Sequence, residues 1–505
     1  MCWLASGGCC VAQSRVTLIV LVCAAVLPCR RLHAESTAAA ASDEAATDPA
    51  ATDPAATDHE RISDLERQLR EVQKALAEKP PSSNEAPAAQ QSPPPTPKPQ
   101  HRDQSEPPFS EFDFSWLNGN NYQPSSLLVS GPLTWSIYVD AYYAYQFWAP
   151  IDHTIFPTTT AARHNEISFN LGILGVELTG LDGPLGRIYI QYGSNIETTA
   201  GQDPTVTRGY FLSASAFKYI GQAALGWHFH ALHGINAEIG IFPSYIGLES
   251  YLPQENWSYT HSFVSDVTPY YFFGLRGQIF ATRRLKVELW LVNGWQTFGQ
   301  WHEGRAGGYF VNWRPRGWLS LVTSFYCGQE VMGDPKSVRP YTDNNVQIEY
   351  YRAQGKHGIR SSAFSLTADA GYQTRSLPAL GGWMAGVSLS NRIAWTAWLA
   401  TTVRGDIFYD QRGALVQRLP LGNPYAVPAG GPFLVGGVSI TNDFLPSPWA
   451  LFRIEYSHRE SNQPYFGGSG GITGPGGVQA PFNPTFIPEL RRHDDRLGVN
   501  ATLRL

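Results

Sequence analysis

What the chain lacks narrows the field first. Of its 505 residues only 16% are charged and only three are methionine. The longest strongly apolar run, Val16–Pro28, falls short of the roughly 20 residues that a membrane-spanning helix requires. A multi-helix membrane protein is therefore excluded. Net charge is −5 and no Lys/Arg-rich stripe occurs, which argues against a nucleic-acid partner. Cysteine is nearly absent from the bulk of the chain: Cys2, Cys9, Cys10, Cys23 and Cys29 precede residue 35, and Cys327 stands alone after it. One thiol supports neither a disulfide framework nor a cysteine metal site, so Cys327 reads as a small strand residue. What is plentiful is aromatic side chains, 13% of residues, together with 48 glycines and 37 prolines.

The first hundred residues are low in structure-forming pattern. Arg15, the apolar Val16–Leu27 and the small residues after it resemble a secretory signal peptide, with a cleavage site after Ala34. Residues 35–59 form an Ala/Thr/Asp-rich spacer in which Ala-Ala-Thr-Asp-Pro repeats. Within 60–79, Ile62, Leu65, Leu69, Val72 and Leu76 are spaced 3, 4, 3 and 4, an a/d heptad stripe. Two heptads are too few for an isolated helix in water, so the stripe predicts a short coiled coil in a homo-oligomer, a trimer being the expected form. Residues 80–108 are a Pro-rich, semi-stiff linker. Residues 35–108 carry 14 acidic against 7 basic groups, whereas 109–505 carry 28 against 27. The acidity belongs to the extension.

From about residue 130 the chain alternates apolar and polar residues at period 2. Ile167, Phe169, Leu171 and Ile173 share one face, Glu166, Ser168 and Asn170 the other. The same division recurs at Leu285–Leu291, Val346–Tyr351 and Phe452–Ser457. Sixteen such segments are read, near 134–147, 165–179, 186–196, 221–230, 234–243, 269–280, 284–293, 306–313, 317–326, 345–352, 361–370, 381–390, 393–409, 432–441, 449–459 and 495–504. Connections after odd-numbered segments are long; those after even-numbered ones are mostly short turns, such as Ala281–Arg283, Arg314–Arg316 and Asn391–Arg392. A soluble propeller or sandwich has no reason to alternate loop lengths. The expected fold class is all-β: a transmembrane antiparallel β-barrel of about 16 strands over residues 109–505, with aromatic girdles at strand ends. An even strand count returns the C-terminus to the side of the N-terminal extension, the periplasmic side.

Specific stretches then point to a family. Phe114–Asn120 (FSWLNGN), Ala237–Tyr251 (AEIGIFPSYIGLESY), Asn256–His261, Thr268–Phe280 (TPYYFFGLRGQIF), Leu285–Phe298 (LKVELWLVNGWQTF) and Arg314–Ser324 (RPRGWLSLVTS) resemble motifs of the putative beta-barrel porin-2, OmpL-like family. The resemblance spans roughly 109–505 and implies an outer-membrane barrel of Gram-negative bacteria with porin activity. It implies the lipid bilayer and the outer-membrane assembly machinery as partners, small hydrophilic solutes as cargo, no cofactor and no catalytic residues. One departure is the C-terminus, which reads Leu503-Arg504-Leu505 where such barrels often end in an aromatic residue.

About sixteen strands leave an aqueous channel. The polar strand faces supply the candidate pore-lining residues Glu166, Arg187, Glu238, Arg276, Lys286, Glu288, Glu349, Arg404, Asp406, Arg453 and Glu455. Lys286/Glu288, Arg404/Asp406 and Arg453/Glu455 are i, i+2 pairs, read either as a transverse field or as charges paired along the wall. The near balance of 27 basic and 28 acidic residues predicts weak ion selectivity. Among the long loops, 244–268 is the constriction candidate, with Tyr245, Glu249, Tyr251, Glu255, Trp257 and Asp266. Gly467–Gly471 fits G-x-S-x-G without the strand-to-helix elbow that motif needs, and His228, His230 and His233 lack metal-ligand spacing. A barrel enzyme of lipase or protease type, or a closed structural or adhesive barrel, are the alternatives to passive diffusion.

Overall fold

Strands that are apolar on one face and polar on the other must place those faces in different solvents. The computed structural model does so by rolling them into a closed barrel. It describes residues 107–505 apart from 124, 180, 201–202, 204, 206–216, 301–303, 332, 354–357, 417–430 and 474–485, together with Arg67 and Arg70. The expected signal peptide, the spacer, the heptad positions Ile62, Leu65, Leu69, Val72 and Leu76, and the linker as far as residue 106 lie outside the described residues.

Among the described residues the barrel has sixteen strands: β1 Leu133–Gln146, β2 Ile167–Leu178, β3 Pro184–Tyr192, β4 Ile220–Phe229, β5 Ile235–Pro243, β6 Tyr271–Thr282, β7 Leu285–Val292, β8 Ala306–Arg316, β9 Leu319–Gln329, β10 Val338–Arg352, β11 Ser361–Gln373, β12 Gly382–Ala394, β13 Leu399–Asp410, β14 Phe433–Ser447, β15 Ala450–Ser461 and β16 His493–Arg504. Sequential neighbours pair antiparallel, and β16 pairs back onto β1 with Leu497 opposite Tyr145 and Asn500 opposite Tyr142. Closure leaves the wall without an open edge, which a strand assembly in hydrocarbon needs. A three-residue strand, Leu128–Ser130, folds back onto the start of β1.

Burial is inverted relative to a water-soluble domain. Leu225 is 66% exposed and Ile440 47%, while Arg404 and Arg453 are each 2% exposed. The apolar band faces outward, where lipid lies, and the ionic side chains face in. Of the seven connections after the even-numbered strands β2 to β14, six have five residues or fewer and 353–360 has eight; three (283–284, 317–318 and 448–449) are two-residue turns. The other end carries the longer connections, including 147–166, 193–219, 244–270 and 462–492.

Several strand limits differ from those read in the sequence. The expected turn at Asn391–Arg392 lies inside β12, where Arg392 pairs across to Thr402, and the chain reverses at residues 395–398. Strand β10 begins at Val338 and β14 runs to Ser447. Thr342-Asp343-Asn344-Asn345 and Asn442-Asp443 are polar on both faces, so period 2 fades there although the ladder continues.

The packed core is inside the barrel. Phe242, Tyr245, Phe263, Phe272, Trp290, Tyr326, Phe408 and Phe433 belong to one buried cluster, built around the loop that enters the lumen after β5. Each such side chain contributes roughly 1.5–3 kcal/mol by leaving water.

Candidate functional site: the barrel lumen

The loop from Ser244 to Tyr270 leaves the wall at β5 and returns at β6. It contains a one-turn 3-10 segment, Pro253–Glu255, and a short helix, α1, Phe263–Asp266, whose N-cap Ser262 accepts a hydrogen bond from Ser265 N. Most of its backbone is irregular, so its peptide groups need partners from elsewhere. The barrel wall supplies them.

The partners alternate in charge along two strands. On β15, Arg453 donates to the carbonyls of Pro253 (2.6 Å), Asn256 and Ser258. Two residues on, the Glu455 carboxylate accepts from Tyr259 N (2.6 Å), Thr260 N (3.0 Å) and the Thr260 hydroxyl (2.5 Å). On β13, Arg404 donates to the carbonyls of Thr260 and His261, and Asp406 accepts from Phe263 N at 3.0 Å. Guanidiniums bind loop carbonyls and carboxylates bind loop amides. The i, i+2 spacing puts both on the inward face of one strand.

Three further anchors fix the loop. Asp343 of β10 accepts from Gly247 N (2.8 Å), Arg459 of β15 pairs with Asp266 (3.0 Å), and Arg504 of β16 pairs with Glu255 (2.5 Å). Tyr245 stacks on Trp290 with ring centroids 4.8 Å apart. Tyr259 donates its hydroxyl to the buried Asp140 of β1 at 3.0 Å. Burial, then the Asp140 charge, hold the Tyr259 phenol far above its ordinary range, so it serves as a neutral donor. Burial likewise raises Tyr251 and Tyr270.

A second segment lies at the short-turn end. Phe109 N donates to Arg283 O (2.8 Å), Trp116 Nε1 to Gly317 O (2.9 Å) and Asn118 N to Gln347 Oε1 (2.8 Å). It also meets the inward loop: Gly119 N donates to Glu255 O, and Trp257 N to Asn118 Oδ1. Gly119 has φ +70, and a Cβ there would stand 1.9 Å from Leu248 O, so only glycine fits this crossing.

The loop covers the wall formed by β13 to β16. Facing the other wall remains a cavity of about 550 Å³. Its lining includes Arg187, Arg276, Lys286, Glu288, Arg314 and Tyr245.

The sequence-derived candidates therefore fall into three groups. Arg187, Arg276, Lys286 and Glu288 line the cavity, and buried Glu238 bridges Arg187 and Arg276. Arg404, Asp406, Arg453 and Glu455 hold the loop. Glu166 and Glu349 stand apart from both groups. Glu166 precedes β2 and pairs with Arg163 at 2.8 Å; Glu349, on β10 near the short-turn end, pairs with Arg352 at 2.7 Å. Of the constriction candidates, Tyr245, Glu249, Tyr251 and Glu255 line the cavity. Trp257 is buried among Phe114, Trp116 and Leu117. Asp266 faces Arg459.

The i, i+2 pairs also sort out. Lys286 does pair with Glu288, at 2.7 Å, whereas Arg453 takes its carboxylate from Asp443 of β14, at 2.6 Å. Asp443, Arg459, Asp140 and Asp343 were not among the sequence candidates. Continuing the polar-face alternation through β14 and β15 reaches Asp443 and Arg459; Asp140 and Asp343 give no comparable signal. His228 bonds Asn236 (2.6 Å), His230 meets Asp182 (2.5 Å), and the Ser469 hydroxyl donates to Trp148 O (2.7 Å).

Among curated proteins, none matches the chain in sequence. Several solved outer-membrane structures are similar. An anion-selective porin from Comamonas acidovorans shares 9% identity over 74% of this chain and 99% of its own, with a TM-score of 0.46. The outer-membrane channel DcaP of Acinetobacter baumannii shares 10% over 75% and 100%, TM-score 0.45. OprB of Pseudomonas putida shares 10% over 74% and 94%, TM-score 0.46. Residues 132–482, from the start of β1 to just short of β16, match the family described as putative beta-barrel porin-2, OmpL-like. The chain belongs to this family of outer-membrane β-barrel porins.

Proposed function

We propose that this porin passes small hydrophilic solutes by passive diffusion along the free side of its lumen, with loop 244–270 setting the constriction. The observation that carries the reading is the loop's seat inside the barrel. It is held by the alternating charges of β13 and β15 and leaves a cavity of about 550 Å³ against the other wall. That space suits solutes the size of a monosaccharide or small organic acid rather than oligomers. The short-turn end, which carries the 107–121 segment and the C-terminus, is the periplasmic side, and the longer loops face outward, as in other outer-membrane barrels. The heptad stripe Ile62–Leu76 joins the protomers as a trimer. Liposome swelling tests the transport reading: vesicles holding the folded protein should swell in monosaccharide and much more slowly in trisaccharide. No swelling with any small solute would overturn it.

A further inference from the structure

The loop does more than narrow the lumen; it also divides its charges. Arg404, Arg453 and Arg459 are spent on loop carbonyls and carboxylates on the covered wall. The free wall keeps Arg187, Arg276, Lys286 and Arg314 facing the cavity. The carboxylates of that wall are fewer, and the loop carboxylates Glu249 and Glu255 that also line the cavity are paired with Arg404 and Arg504. Arg187 and Arg276 share Glu238, and Lys286 has Glu288. Glu177 lies opposite Arg187 across β2 and β3 and accepts from the Tyr189 hydroxyl at 2.8 Å.

Arg314 differs from these. Among the described residues its guanidinium has no carboxylate partner, and its Nε is buried without a hydrogen bond. It is held instead against two rings, 4.8 Å from the Phe109 centroid and 4.9 Å from that of Phe114. Aromatic faces fix a guanidinium without neutralising it, which leaves its charge and its fork of donors for something else.

The register orders the cations along the barrel. Arg276 lies opposite Trp290, Lys286 is four residues earlier on that strand and opposite Asn312, and Arg314 is two residues beyond Asn312. At about 3.3 Å per residue the three span roughly 20 Å of wall, ending at the short-turn mouth.

We propose that the free side of the lumen is an anion path: Arg276, Lys286 and Arg314 form a descending series, and Arg314 is the site that binds a small carboxylate. The inference deepens the porin reading and rests on it. It also revises the weak selectivity expected from overall charge balance, because the balance is met largely on the wall that the loop covers.

Reversal potentials across a planar bilayer, with the folded full-length protein in a potassium chloride gradient, test it. One uncompensated charge about 8 Å from the ion path makes chloride roughly three- to six-fold more permeant than potassium at low salt. Potassium acetate in the bath should lower chloride conductance through occupancy of the Arg314 site. Arg314→Gln should abolish the acetate effect and, with Lys286→Gln, bring the permeability ratio toward one. Lys336→Gln, at an exposed residue between β9 and β10, should leave both unchanged. Cation preference in a conducting channel would overturn the anion path while leaving the porin reading intact. Anion preference that persists in both variants would overturn the site assignment. Absence of any conductance would overturn the porin reading and the inference with it.

Discussion

Replacing one carboxylate should loosen the constriction without unfolding the barrel. Glu455 accepts from two backbone amides and one hydroxyl of the loop, all within 3.0 Å. Glu455→Gln keeps shape and volume but removes the charge. Hydrogen bonds to a charged partner contribute about 1.5–3 kcal/mol each and neutral ones about 0.5–1.5, so three loop donors lose roughly 3 kcal/mol in all. That shifts the equilibrium between seated and released loop by on the order of 100-fold. Water reaching the vacated groups recovers part of this, so about tenfold is the lower expectation. The readout is the rate of transitions to a larger conductance level in single-channel recordings, with heat-modifiable gel mobility confirming a folded barrel. Transition rates equal to those of the wild type, in a barrel that is folded, would refute the claim that this carboxylate seats the loop.

Other perturbations probe separate parts of the account. Ile440→Arg puts a charge on the outward face of β14, where Ile440 is 47% exposed to lipid, and should cost about 2–4 kcal/mol in a denaturant refolding titration. Gly119→Ala drives a Cβ onto Leu248 O and should detach the 107–121 segment from the loop, seen as new protease cleavage there with the barrel intact. Asp334 is held below the usual aspartate range, at about 2, chiefly by the Ser376 hydroxyl and amide, which clasp the loops after β9 and β11. A depressed carboxylate stabilises above its unfolded pKa, so this clasp should persist at neutral pH and fade as pH falls toward about 2. Hydrogen exchange of the Ser376 amide reports it; protection unchanged at pH 2 would contradict the assignment. Deleting residues 35–108 should reduce the oligomer in mild detergent to monomer, and an unchanged mass would remove the heptad stripe from the assembly.

The barrel was legible because its physics is local. Each strand carries its own two faces, as in Leu285–Leu291 and Phe452–Ser457, and sixteen of them with alternating loop lengths specify closure. Strand limits were lost where both faces turn polar, at Thr342–Asn345 and Asn442–Asp443. The lumen was legible only in part, because the inward face of a strand says what points in, not what it meets. Arg404 and Arg453 look like pore charges in the sequence, yet each is spent on carbonyls of a loop more than 140 residues away in the chain. Phe109 and Phe114 precede the first strand and show no periodicity that would place them on Arg314.

The central claim is a conducting barrel narrowed by a loop seated inside it. Single-channel recording of the wild type beside a variant with residues 247–266 replaced by a short Gly-Ser turn tests this most directly. The account predicts discrete steps in both, with a clearly larger unit conductance in the shortened protein. Folded protein that shows no discrete steps in either form, or equal conductance in the two, would contradict it.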